Sequence, residues 1–137
     1  MKSKSAGVTL IELIVVVTIV ALLASVAIPS YRQYVLRTHR TEGMSALMQL
    51  AAAQEKFYLQ SNTYAVDNLL DDAPPTGLGL SATTANGYYT IAIGAADAAG
   101  YTATATAAGS QAADTHCATF TINQAGTKTA TSSDCWK

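Results

Sequence analysis

Charge and histidine are both scarce in this chain. Only 12% of its 137 residues are Asp, Glu, Lys or Arg, and its 2 histidines are His39 and His116. Neither histidine has a metal-ligand spacing, and no GxSxG motif or phosphate-binding glycine loop occurs. Serine and threonine are abundant, but a nucleophile needs a positioned base, and the sequence implies none. We therefore expect a structural protein without a cofactor rather than an enzyme.

Positive charge is especially scarce in the second half. From Ser61 onward, six aspartates are balanced only by Lys128 and Lys137, so this part has a net charge of −4. That sign opposes binding of a polyphosphate through counterion release, and we expect little nucleic-acid binding. The adjacent Asp71 and Asp72 lack the alternating oxygen ligands of a calcium loop, so we interpret them as a solvated turn.

Cysteine is limited to Cys117 and Cys135, which enclose a short C-terminal segment. Behind a membrane-targeting N-terminus an oxidising compartment is their natural setting, which favours a disulfide. A bridge closing a loop of this size contributes roughly 3 kcal/mol in the chain-entropy model. The alternatives are two unpaired thiols or part of a metal site beside His116, although no CxxC or HxxxH spacing supports a metal.

One segment is rich in apolar residues. Residues 8–28 form a run of 21 residues whose one charged member is Glu12. As a helix this run spans about 31 Å, enough to cross a bilayer core. It is too long for a secretory signal, and the basic MKSK before it predicts a cytoplasmic N-terminus, with residues 30–137 outside. Because a charge in hydrocarbon is costly, Glu12 requires an explanation.

The next segment, residues 30–60, has the pattern of an amphipathic helix. Its apolar residues recur at steps of three and four, which predicts a stripe that packs on a sheet. The stripe consists of Gly43, Ala46, Leu47, Leu50, Ala53 and Phe57. Because Pro29 lacks a backbone donor, we expect a kink or local melting near Val26–Ser30, with Gly43 as a second weak point.

A basic run follows the apolar segment along the same predicted helix. We interpret it as contacting lipid headgroups or acidic faces of neighbouring subunits. Its members are Arg32, Arg37, Arg40 and Lys56.

Residues 61–85 are dense in turn-forming residues and predict a long irregular connection with one helical turn near Val66–Leu70. Alternation then predicts strands at 87–94, 101–108 and 117–124, with a fourth through Thr127–Thr131. The fold class is therefore α+β, one long N-terminal helix packed on a three- or four-stranded antiparallel sheet.

We interpret the tyrosines as core and sheet packing rather than a nucleic-acid stacking platform; they are Tyr58, Tyr64, Tyr88, Tyr89 and Tyr101.

The N-terminal segment KSAGVTLIEL resembles the processing site of type IV pilins and the related pseudopilins. The family's precursors are cleaved after a glycine that follows a short basic leader, and Gly7 matches that glycine. Glu12 would then be the fifth residue of the cleaved chain. About twenty apolar residues and then Pro29 complete the similarity. Val8 departs from the family, in which the new N-terminal residue is usually Phe. Downstream, the chain resembles the PilE-like minor pilins; the matching segments are RTEG (40–43), QEKFYLQSNTYA (54–65), NGYYT (86–90), residues 111–128 and DCW (134–136).

The resemblance implies a type IV pilin fold and how the subunit assembles. A prepilin peptidase removes the leader by cutting after Gly7, and the new N-terminal amine, on Val8, is methylated. Glu12 pairs with the N-terminal amine of a neighbouring pilin. Pro29 joins the two halves of the helix. The implied segments are a leader (1–7), a membrane and filament-core helix (8–29), an amphipathic half (30–60), a connection (61–85) and a sheet with the disulfide Cys117–Cys135 (86–137).

The implied function is that of a structural pilin subunit of a type IV pilus, of the minor kind, serving adhesion, twitching motility or DNA uptake. Its implied partners are other pilins, the prepilin peptidase and the inner-membrane assembly machinery. The subunit resides in the bacterial inner membrane before assembly and in the extracellular filament afterwards. A major pilin, a type II secretion pseudopilin and a pilus-borne receptor for DNA or a host surface are the alternatives.

Overall fold

The computed structural model describes residues 7–137, so the predicted leader lies outside the described residues except for Gly7. A long helix precedes a four-stranded antiparallel sheet whose strands follow chain order as a meander, which confirms the predicted α+β class. The chain forms two compact units that divide inside the helix, between Val35 and Leu36. The elements are α1 (Leu10–Ser61), a 3₁₀ turn (Asp67–Leu69), β1 (Tyr89–Ala96), β2 (Tyr101–Ala107), two 3₁₀ turns (Gly109–Ala113 and Thr115–Cys117), β3 (Thr119–Asn123) and β4 (Lys128–Ala130).

Helix α1 begins just after Thr9, whose side-chain oxygen accepts a hydrogen bond of 3.3 Å from the backbone N–H of Glu12. This bond satisfies one of the donors that a helix start leaves unpaired. The predicted local melting near Val26–Ser30 is wrong, because α1 remains helical through Pro29. Proline removes its own bond to the carbonyl four residues earlier, and the bonded turns on both sides maintain the helix.

The second half of α1 buries one stripe in the core of the second unit. Leu47 and Leu50 are buried there together with Tyr89 of β1 and Phe120 of β3. Gly43 is a site of close packing rather than a weak point, because a Cβ at this position would lie 2.9 Å from carbon atoms of the Tyr89 ring. Along β1 and β2 alternate residues are buried, as predicted; they are Tyr89, Ile91, Ile93, Tyr101, Ala103 and Ala105.

A glutamine in the buried stripe anchors the start of the connection that follows α1. Gln54 is fully buried. Its Nε2 donates to the carbonyl of Ala65 and its Oε1 accepts from the N–H of Ala65, both at 2.8 Å. The Gln54 amide thus bonds the backbone of Ala65 as a neighbouring strand would. The backbone N–H and carbonyl of Ala65 would otherwise be costly to bury.

The same connection covers the outer edge of β1. The N–H of Ile91 donates to the carbonyl of Ala82 at 2.8 Å, and the N–H of Ile93 donates to the Asp67 carboxylate at 2.7 Å. An edge strand normally presents such groups unpaired. At these two positions, β1 therefore has its outward donors already bonded.

Arg40 points into the second unit, so the expectation that it contacts headgroups or neighbouring subunits is wrong. Its Nε and Nη2 donate to the Asp114 carboxylate at 2.6 and 2.8 Å, and the two side chains are 13% and 3% exposed. Burial alone would raise the pKa of Asp114, but the hydrogen bond and charge of Arg40 hold that pKa below its ordinary value. The buried carboxylate therefore remains ionised and paired.

Gln111 extends this ion pair into a polar network. Its Nε2 donates to Asp114 at 3.1 Å, to the carbonyl of Leu36 in α1 at 2.9 Å and to the Tyr89 hydroxyl at 3.2 Å. The network attaches the two 3₁₀ turns between β2 and β3 to α1. No element was predicted between the strands expected at 101–108 and 117–124.

Arg40→Gln should lower the free energy of unfolding by about 3–5 kcal/mol, because it leaves the Asp114 carboxylate buried without its cation. Arg37→Gln, the same change at an exposed arginine of α1, should change it by less than about 0.5 kcal/mol. Urea unfolding of the detergent-solubilised protein, followed by Trp136 fluorescence, measures both. Equal effects in the two variants would contradict a stabilising role for the buried pair.

Gly43→Val should lower the free energy of unfolding by about 1–3 kcal/mol, because the added carbons overlap the Tyr89 ring. Intrinsic helix propensity favours valine over glycine, so any loss reflects the clash rather than the backbone. Ser45→Val on the exposed face of the same helix is the matched control and should be nearly neutral. The urea midpoint distinguishes the two, and unchanged stability of Gly43→Val would refute close helix–sheet contact here.

Candidate functional site

The residues predicted for processing lie at the exposed beginning of the described chain. Open space surrounds the position where a Cβ would stand on Gly7, and Val8 is 72% exposed. Glu12 lies in the first turn of α1. Pro29 is about 26 Å further along the helix axis, so the structure groups Gly7, Val8 and Glu12 and leaves Pro29 apart.

The apolar run is not covered by its own chain. Described residues 7–34 are all exposed except Ala24, which is partly buried. Among the described residues, α1 is the one helix whose length and composition suffice to cross a membrane. An exposed apolar surface of this extent marks a site of contact with a membrane or with other proteins.

Glu12 differs from the hydroxyl residues in the same run. Thr18 Oγ1 donates to the carbonyl of Ile14 at 2.8 Å, and Ser25 Oγ donates to the carbonyl of Leu22 at 2.7 Å. Such local bonds satisfy a hydroxyl inside its own helix. Within residues 7–137, the Glu12 carboxylate has no hydrogen bond or ion pair. It lies in the first turn of α1, where the helix dipole favours a negative charge.

The structure contains the disulfide Cys117–Cys135, with an S–S distance of 2.02 Å and a Cα–Cα distance of 5.7 Å. Both cysteines are buried. Beside the bridge, His116 Nε2 lies 3.1 Å from both carboxylate oxygens of Asp134, and the hydrogen bond to His116 lowers the pKa of Asp134. The structure therefore has the predicted disulfide rather than two unpaired thiols or a metal site at these cysteines.

An aromatic and basic surface lies beside the disulfide, and we call Lys128, Trp136 and Lys137 the Trp136 patch. The indole Nε1 of Trp136 donates to the carbonyl of Thr129 at 2.7 Å, and its ring meets Phe120 edge-on at 5.5 Å. Lys128 Nζ lies 5.1 Å from the centre of the ring. Lys128 thus lies beside an aromatic ring, and Lys137 is the next residue in the chain after Trp136. Sequence reasoning, directed at the tyrosines, missed this arrangement.

The tyrosines pack rather than form one platform, as predicted. Tyr64 contacts both Tyr58 and Tyr101, with ring centres 4.7 and 4.9 Å apart. Tyr88 instead stacks on His39 at 3.8 Å. Burial raises the pKa of Tyr101 to about 12, so this side chain stays neutral at physiological pH.

Two open grooves separate α1 from the connection, with volumes of about 280 and 450 Å³. They share Gln49 and Leu80, and each is lined by one charged side chain, Glu42 in the smaller and Lys56 in the larger. The Glu42 carboxylate is already hydrogen-bonded within the chain, because its oxygens accept from the backbone N–H and Nδ2 of Asn86 at 3.1 and 2.7 Å. Neither groove contains a histidine, a cysteine or a carboxylate pair.

Comparison with known proteins identifies relatives for both parts of the chain. Residues 2–28 match the model of the prokaryotic N-terminal methylation motif. Residues 29–121, about two thirds of the chain, match the family described as type IV minor pilin ComP, DNA uptake sequence receptor.

Similar individual proteins are fimbrial proteins. The type IV major fimbrial protein FimA of Dichelobacter nodosus is 53% identical over 45 residues, which cover 33% of this chain and 28% of FimA. The fimbrial protein EcpC of Eikenella corrodens is 32% identical over 89 residues, covering 65% of this chain and 53% of EcpC. The chain thus spans about a quarter of the first relative's length and about half of the second's.

The methylation-motif match covers the apolar run that contains Glu12, and the minor-pilin match continues from Pro29 into the helix-and-sheet unit. This chain belongs to the type IV pilin family and is similar to its minor pilins.

Proposed function

We propose that this chain is a minor subunit of a type IV pilus. The minor assignment is supported by the match over residues 29–121, whereas the similarity to a major fimbrial protein covers 45 residues. A prepilin peptidase cuts after Gly7, and Val8 becomes the N-methylated end of the mature chain. The methylation-motif match and the exposure of both residues support this step.

The mature subunit occupies two environments in succession. Residues 8–29 hold it in the bacterial inner membrane with the N-terminus cytoplasmic, where the assembly machinery takes it up. Afterwards the same residues pack in the filament interior with those of other pilins, while the connection (61–85) and the sheet region (86–137) stay outside. The exposed apolar surface of residues 8–28 supports this proposal, because both environments bury it.

The Glu12 carboxylate, which has no partner among residues 7–137, carries the proposal. The hydroxyls of Thr18 and Ser25 are satisfied within the helix, so they need no partner in an apolar interior. A carboxylate there does need one. Cleavage after Gly7 creates an amine at Val8, and an amine of a neighbouring subunit at 4 Å contributes about 4 kcal/mol at an effective dielectric of 20, before desolvation.

Glu12→Ala should leave membrane insertion unchanged and lower incorporation into filaments by at least about tenfold, because a buried amine left without its partner costs about 3–5 kcal/mol. The matched control is Thr18→Val in the same run, which should incorporate normally. Immunoblots of membranes and of sheared filaments from cells that also express the wild-type subunit measure both quantities. Normal incorporation of Glu12→Ala would refute the pairing.

A second candidate function is contact with DNA, which is supported by the description of the matched family and by the Trp136 patch. The net charge of the distal part predicts weak nucleic-acid binding, but Lys128 lies beside the Trp136 ring and Lys137 follows Trp136 directly in the chain. Lysines contact phosphates and an indole stacks on bases, so the patch suits a low-affinity contact with few phosphates.

Lys128→Gln should weaken DNA binding by the full-length protein in detergent and reduce the slope of log affinity against log salt by about 1, because one phosphate contact is lost. Trp136→Leu should weaken binding with little change in that slope. Lys56→Gln, an exposed lysine of α1, is the control. Gel shifts at several salt concentrations test this, and a Lys56→Gln effect equal to that of Lys128→Gln would contradict binding at the patch.

A further inference from the structure

Four side chains that can donate to a metal converge at the disulfide. They occur as two adjacent pairs in sequence, His116 with Cys117 and Asp134 with Cys135. Donor atoms of His116, Cys117 and Cys135 all lie within 4.8 Å of one another, and the Asp134 carboxylate oxygens lie 3.1 Å from His116 Nε2. The disulfide occupies both sulfurs, so the set is available to a metal in the reduced chain alone.

We propose that, once the disulfide is reduced, His116, Cys117, Asp134 and Cys135 form a tetrahedral site for Zn²⁺. Two thiolates, an imidazole and a carboxylate are ligands that zinc takes in four-coordinate sites. Thiolate sulfur also selects zinc over the harder magnesium and calcium ions. The metal then closes residues 117–135 in place of the covalent bond. This inference does not depend on the proposed role in a pilus.

Contacts other than the disulfide already hold both ends of this loop. The N–H of Cys117 donates to Asp114 at 3.4 Å, and Arg40 fixes Asp114 on α1. At the other end, the indole of Trp136 is bonded to the carbonyl of Thr129. Reduction therefore leaves the sulfurs near each other. Two sulfurs on a tetrahedral zinc lie about 3.8 Å apart, and the donor atoms of His116, Cys117 and Cys135 already lie within 4.8 Å of one another.

The conversion balances with a dithiol as reductant. The disulfide takes two electrons and two protons from the dithiol and becomes two thiols, while the dithiol becomes its own disulfide. Zn²⁺ then replaces the two thiol protons, which pass to solvent. His116 and Asp134 exchange their mutual hydrogen bond for the metal. A chain that has not yet been oxidised has the same two thiols, so the zinc form is open to the protein before the disulfide forms.

Cobalt(II) is the spectroscopic probe for this site. Full-length protein in detergent is reduced with a dithiol, desalted without oxygen and titrated with Co²⁺. We expect one equivalent to bind with sulfur-to-cobalt charge-transfer bands and the intense visible bands of a tetrahedral ion, and Zn²⁺ to displace it. The oxidised protein should show none of these bands. Bands that are absent from the reduced protein would overturn the proposal.

Two variants test whether His116 and Asp134 are ligands. His116→Asn and Asp134→Asn retain both cysteines and should each lower Co²⁺ affinity by at least about tenfold. The matched controls are His39→Asn, the one other histidine, and Asp71→Asn, an exposed aspartate; both should bind as the wild type does. Binding through the two cysteines of an unfolded chain would be insensitive to all four substitutions, and that result would refute the site.

Discussion

The buried ion pair of Arg40 and Asp114 is the contact on which the arrangement of the second unit depends. A buried charge is favourable only when its bonding capacity is used, because desolvation otherwise exceeds the attraction. Asp114 accepts twice from Arg40, once from Gln111 and once from the N–H of Cys117. Through these bonds one carboxylate joins α1, the turns after β2 and the first cysteine of the disulfide.

Close packing on α1 reinforces the same arrangement. Gly43 lets the Tyr89 ring approach the helix backbone, and the Tyr89 hydroxyl in turn contacts Gln111 of the polar network. Apolar and polar contacts thus specify one position of the sheet against this part of α1. A core of modest size gains little stability from buried apolar area alone. Directional contacts such as these hydrogen bonds and the close approach at Gly43 select a single packing.

The elements that the sequence predicted well are those with local signals. Alternation along β1 and β2 is a property of neighbouring residues, and it placed both strands close to their observed bounds. The loss of helix at Pro29 was overestimated, because one missing hydrogen bond is small against the bonded turns on either side.

What sequence reasoning missed depends on partners that are distant in the chain. Arg40 belongs to a regular basic run in the sequence, and its partner Asp114 lies 74 residues away. Gln54 interrupts an apolar stripe because of a bond to Ala65 that no periodicity indicates. The Trp136 patch and the donors around the disulfide likewise arise from the meander, which brings the C-terminal residues beside β4 and the turn before β3. The predicted processing residues, in contrast, come from a short segment of sequence, and their roles stay a prediction.

The covered edge of β1 has a consequence for how copies of this chain can associate. Sheets with free edges recruit one another into cross-β aggregates, and a high local concentration in a membrane favours that reaction. Ala82 and Asp67 already occupy the outward donors of Ile91 and Ile93, and the opposite edge, β4, is only 3 residues long. Sheet extension is therefore a poor route to self-association for this chain. The exposed apolar surface of α1, rather than a sheet edge, is the surface that favours contact between copies.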